Sequence, residues 1–155
     1  MILALSADTL LKFDHMNIEF EALWSSTSET KLTAFCCLAG SRRVLIGDNN
    51  GRFVLLDISN DEHPQTLASW QAHKGAVRSC TVDVTGRICV SAGDDLLIRM
   101  WHLEDQNEIS RAPIEAPIAS LAFQEKDGII VATDQTRRFY AWQLKEFSIT
   151  RNERP

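Results

Sequence analysis

AHKGAVRSCTVDVTGRICVSAGDDLLIRMWH, residues 72 to 102, alternates β-rich runs with turns. Val77, Ser79 and Thr81 alternate with Arg78, Cys80 and Val82, the period-two pattern of a half-buried strand. Val84-Thr85-Gly86-Arg87 reads as a turn, with Gly86 suited to positive φ. Ile88 to Ser91 and Leu97 to Trp101 are two further strand-like runs, and Gly93-Asp94-Asp95 breaks the chain between them.

The same sentence is written again on either side. Moved back 45 residues, Trp101 falls on Leu56, Val77 on Leu32, Ala92 on Gly47 and Asp95 on Asn50, without a gap. Moved forward 41 residues, Trp101 falls on Trp142, Val77 on Ile118 and Val82 on Phe123. A fainter copy at the start places Phe13 43 residues before Leu56. Three copies have three inner runs and the first has two, its innermost being absent; the outer runs are Phe20 to Trp24, Thr66 to Trp70, roughly Glu108 to Arg111, and Glu146 to Thr150. No segment carries a sustained helical apolar stripe. A period near 40–45 residues with four short strands per repeat predicts an all-β propeller.

The central copy resembles the WD-repeat family along its whole length, and the weaker copies extend that resemblance over nearly the whole chain. It departs from the family pattern at Ala72-His73, where Gly-His is usual, and at Trp101-His102, where Trp-Asp is usual. The resemblance implies a structural tetrad of His73, Ser91, Asp95 and Trp101, hydrogen-bonded in series from indole to hydroxyl to imidazole to carboxylate. A Ser–His–Asp trio invites a hydrolase reading. The tetrad reading instead commits the hydroxyl inside a blade, so no catalytic residue is expected. In the flanking copies the four positions are Ser28, Ile46, Asn50 and Leu56, and Ile114, Ala132, Thr136 and Trp142, as packing positions can degrade.

Composition sets the remaining bounds. The 155 residues are 45% hydrophobic and 24% charged, with a net charge of −5, an ordinary soluble globular balance. Nucleic acid is disfavoured as a partner, because no basic stripe is present to neutralise phosphates. The densest basic spots are Arg42-Arg43 and Arg137-Arg138. The start, MILALSADTLLKFD, lacks a positive n-region, and no apolar run is long enough to span a membrane. Cys36, Cys37, Cys80 and Cys89 have no framework spacing, which points to a reducing compartment, the cytoplasm. They and the four histidines show no zinc spacing, so no metal is expected. No phosphate-cradling glycine motif is present, and no cofactor is expected.

The expected architecture is therefore an incomplete ring of about three and a half four-stranded blades: a partial blade over 1–26, then blades over 27–71, 72–113 and 114–155. Such an arc would expose the apolar faces of its end blades. Closure is expected through blades of a larger protein, a second copy, or a partner. The family resemblance implies a non-catalytic protein-interaction scaffold, with partners engaged through loops such as Asp48 to Gly51, Asp94 to Leu96 and Thr133 to Thr136. Two other roles have weaker signals. The phrases HKGAVRSC, SAGDD and VLIGDNNGRFVLLDI resemble propellers of NACHT-type signalling NTPases, which would imply a sensing, autoinhibitory part. A nucleic-acid-binding propeller would use the four arginines above.

Overall fold

The computed structural model describes residues 2–14, 19–26, 29–60, 62–124 and 128–143. These residues form four antiparallel sheets that do not close a ring, and there is no helix among them. The first sheet is β1 (Ile2–Ser6), β2 (Thr9–Asp14) and β3 (Glu19–Ser25). The second is β4 (Leu32–Leu38), β5 (Arg43–Asp48), β6 (Arg52–Asp57) and β7 (Gln65–Gln71). The third is β8 (Val77–Val82), β9 (Ile88–Gly93), β10 (Leu97–His102) and β11 (Asn107–Pro113). The fourth is β12 (Ile118–Gln124), β13 (Ile129–Asp134) and β14 (Phe139–Gln143). Each sheet is a meander in which consecutive strands pair. The offsets of 45 and 41 residues read from the sequence carry β9 onto β5 and β13, strand end for strand end. The expected strand Glu146 to Thr150, together with Ser28 and Asp127, lies outside the described residues.

The simple alternation expected for Val77 to Val82 is interrupted. A β-bulge between Val77 and Ser79 shifts the phase, so Val77, Cys80 and Val82 face one way. Bulges recur at the equivalent points of β4 and β12, between Leu32 and Ala34 and between Ile118 and Ser120. A bulge adds a residue and sharpens local twist, and here all three lie on the strand nearest the preceding sheet.

The core consists of layers between successive sheets. Leu10, Leu32, Val44, Ile46 and Leu56 join the first to the second. Leu45, Phe53, Leu55, Val77, Cys80, Cys89 and Trp101 join the second to the third. Val90, Ala92, Ile98, Met100, Ile118 and Ile130 join the third to the fourth. Strand alternation produces this division: neighbours such as Cys89 and Val90 serve opposite layers. A hydrogen bond ties each sheet to the next near its innermost strand. Leu32 N donates to Ala7 O at 2.6 Å, Thr33 Oγ1 to Val77 O at 2.6 Å, and Leu121 N to Ser79 Oγ at 3.1 Å. On the fourth sheet Phe139 is 68% exposed, among the small side chains of Ser120, Ala122 and Thr133.

Candidate functional site

The polar network of the third sheet is assembled from two sheets. Gly51, in the turn after β5, has φ +80° and offers one carbonyl to both Ala72 N (2.8 Å) and His73 N (2.9 Å). A Cβ on Gly51 would stand 2.1 Å from His73 O, so only glycine lets this turn hold the segment that delivers His73. The His73 ring then enters the layer between the second and third sheets. Trp101 Nε1 donates to Ser91 Oγ at 2.9 Å, His73 Nε2 lies 2.8 Å from Ser91 Oγ, and His73 Nδ1 lies 2.8 Å from Asp95 Oδ1. One proton order satisfies every partner. The indole N–H points at Oγ, the Ser91 hydroxyl donates to Nε2, and Nδ1–H donates to the carboxylate.

Charge in the network follows its surroundings. Burial holds His73 below the ordinary histidine range, although Asp95 pulls the other way. Burial opposes charge on Asp95 as well, yet His73, the Lys74 N–H and Arg99 together keep it below the usual carboxylate range. Arg99, which sequence reading overlooked, donates to Asp95 at 2.9 Å and to Glu108 at 2.7 Å, linking the turn to the outer strand. Below pH about 6.5 the unfolded chain protonates His73 before the folded one does, so folding stability should fall as pH drops from there. Urea midpoints at about pH 7 and about pH 5.5 should show this loss in the natural chain and a smaller one in His73→Gln. Equal losses would mean that another group controls the slope.

The neighbouring repeats solve the same turn differently. Under the two offsets Asp48 and Asp134 take the place of Gly93, and both are buried. Asp48 Oδ1 accepts from Asn50 N and Arg52 N at 2.8 and 2.9 Å. Asp134 Oδ1 accepts from Thr136 N and Arg138 N at 2.8 and 2.9 Å. Tyr140, the counterpart of Arg99, donates to Asp134 Oδ2 at 2.8 Å. Burial works against that charge, but Thr136, Arg138 and Tyr140 hold the Asp134 pKa at about 2. In the third sheet an aspartate cannot stand at 93, because the His73 ring occupies that space. The pattern was present in the sequence as two carboxylates in register with a glycine.

The remaining sequence candidates separate. Two of the three candidate loops are tight turns built around buried Asp48 and Asp134, with Asn50 exposed in the first and Thr133, Gln135 and Thr136 in the second. Asp94 forms an exposed pair with Arg78, with Nη2 to Oδ2 at 2.9 Å. Arg42-Arg43 opens β5, whereas Arg137-Arg138 follows β13, so the two basic pairs lie at opposite ends of the second strands of their sheets. They do not form one patch, and Arg138 is paired with Glu115. Cys36 and Cys37, adjacent on β4, point to opposite faces, and Cys36 meets Cys80 of the next sheet, with sulfurs 3.4 Å apart. His15 lies outside the described residues. No group of three or more metal-ligating side chains that could hold an ion occurs among the described residues. Sequence reading also missed a cavity of about 400 Å³ between the second and third sheets, at the end away from the Asp94-Asp95 turn. Leu38, Leu55 and Leu103 line it beside Arg43, Arg87 and the exposed Leu67.

No family model matches the chain. It is similar to the target of rapamycin complex subunit wat1 of Schizosaccharomyces pombe, 23% identical over 143 residues, which cover 89% of this chain and 45% of that protein. It is also similar to eukaryotic translation initiation factor 3 subunit I of the same yeast, 22% identical over 89 residues, covering 57% of this chain and 27% of that protein. The chain thus spans less than half the length of either relative in these matches. The four antiparallel sheets are laid out as in an incomplete propeller. Ser91, His73 and Trp101 lie on the side of the third sheet that faces the second. Among the described residues no helix is long and apolar enough to cross a membrane.

Proposed function

We propose that this chain is a non-catalytic, protein-interaction segment of a WD-repeat propeller, with blades over 27–71, 72–113 and 114–155 and part of one over 1–26. In this reading His73, Ser91, Asp95 and Trp101 hold a blade together and act on no substrate. The burial of Ser91 carries it. Its side chain is 0% exposed, and its oxygen is already engaged by Trp101 and His73. A hydroxyl nucleophile needs an open approach for the acyl carbon and donors for the developing oxyanion, and Ser91 has no open approach. The relatives support the interaction role, since each is named as a subunit of a larger assembly. The four unbridged cysteines suit a reducing compartment, and we place the protein in the cytoplasm.

The test is to tag the protein at its own locus, separate native extract by size, and identify what co-elutes. A stoichiometric protein partner is the expected result. A tagged protein that elutes at its own mass, with nothing bound, overturns the scaffold reading. The structural role has its own measurement. Asp95→Ala should lower unfolding stability by about 1–3 kcal/mol, because buried donors lose their acceptor. An unchanged midpoint would remove that role.

A further inference from the structure

We propose that Cys36 and Cys80 form an oxidative modification site, a dithiol that peroxide converts into a disulfide joining two neighbouring blades. The pair belongs to the innermost strands β4 and β8, and no sequence spacing marks it. The Cys80 thiol donates to the Cys36 sulfur at 3.4 Å, and both are unbridged. Closing to a disulfide takes the sulfurs to about 2.05 Å, an approach that side-chain rotation can share.

The three thiols of this layer are unequal, and the inequality sets their order of reaction. Cys36 is partly exposed, whereas Cys80 and Cys89 are buried. Hydrogen bonds from Cys80 and Cys89 lower the Cys36 pKa, against the effect of its own burial. The bond to Cys36 and burial push Cys80 up, and burial pushes Cys89 up. The thiolate is the nucleophile in thiol oxidation. Cys36 therefore attacks one peroxide oxygen, breaking the O–O bond, becoming a sulfenic acid and releasing hydroxide. The Cys80 sulfur then attacks the sulfenic sulfur. The S–O bond breaks, the hydroxyl leaves, and the Cys80 proton joins it as water. Overall, two thiols and one hydrogen peroxide give one disulfide and two waters. Cys37, on the other face of β4, stands apart from this chemistry. The product would fix the second blade against the third and close a loop from residue 36 to residue 80.

The experiment uses the whole chain, fully reduced and then treated with stoichiometric hydrogen peroxide. Intact mass should fall by about 2 Da, the two hydrogens lost in a disulfide, and dithiothreitol should restore it. Peptide mapping should join the Cys36 and Cys80 peptides. Cys37→Ser should behave as the natural chain, and Cys36→Ser, a change at the partly exposed partner, should abolish the loss. Oxidation that stops at a Cys36 sulfinic acid, a Cys36–Cys89 link, an intermolecular bridge through Cys37, or no change in mass would each overturn the proposal. If Cys36→Ser alters the circular dichroism spectrum, the peptide map of the natural chain decides alone.

Discussion

Trp101→Ala should cost about 3–5 kcal/mol, the range for deleting a large buried aromatic side chain. The indole is 4% exposed and lies in the layer that joins the second blade to the third. It meets Trp70 edge-on, with ring centroids 6.2 Å apart, and Trp70 in turn lies 5.3 Å from Phe53. Three aromatic rings thus cross from one blade into the next. Removing the indole opens a cavity between sheets that are stiffened by their own ladders, so collapse can recover little of the loss. It also removes the donor to Ser91. Trp101→Phe separates the two contributions, since it keeps much of the ring and loses the N–H. That variant should cost about 1–3 kcal/mol. Urea unfolding followed by far-ultraviolet circular dichroism reads both without relying on the altered fluorophore. A loss below about 1 kcal/mol in Trp101→Ala would mean that the aromatic layer does not hold the blades together.

Gly93→Ala should be nearly as damaging, and the loss should depend on His73. A Cβ at residue 93 would stand 2.5 Å from His73 Cγ and 2.6 Å from Nδ1. Those distances are well inside contact. The ring cannot slide, because Ser91 and Asp95 hold its two nitrogens and Gly51 holds its backbone. Either the ring shifts and both bonds fail, or β9 shifts and its ladder is disturbed. We expect about 2–4 kcal/mol, combining overpacking with lost hydrogen bonds. Once the ring is removed, the alanine at 93 has space. The double variant Gly93→Ala with His73→Ala should therefore be more stable than the sum of the single losses by about 1–3 kcal/mol. Additivity within about 0.5 kcal/mol would show that the two residues do not compete for one volume. The other blades make the same point in natural sequence. Ile114 stands in the place of His73, and its blade carries Asp134 where the third blade has Gly93.

Strand runs, turns and repeat offsets were legible in the chain because they are local. Alternation along Leu97 to Trp101, glycine at the turn after Thr85, and tryptophans 41 residues apart follow from backbone geometry within one repeat. His73, Ser91, Asp95 and Trp101 belong to one sheet and its entry segment, and the fold joins them by hydrogen bonds. The charged groups that complete the turns were not legible. Arg99 reads as an ordinary exposed strand residue until the fold brings Asp95 and Glu108 to its two nitrogens. Asp48 and Asp134 read as turn residues, and only their burial reveals them as the acceptors around which those turns form.

By itself the sequence determined the period and the all-β class, because each rests on neighbours along the chain. Only the tertiary structure decided that Gly51 of one blade positions His73 of the next, that His73 excludes any side chain at 93, and that Cys36 lies against Cys80. The first and last are contacts between sheets packed face to face, and the second joins a sheet to its own entry segment. Their register is set by bulges and by the volumes of side chains more than twenty residues apart, and no local pattern encodes it.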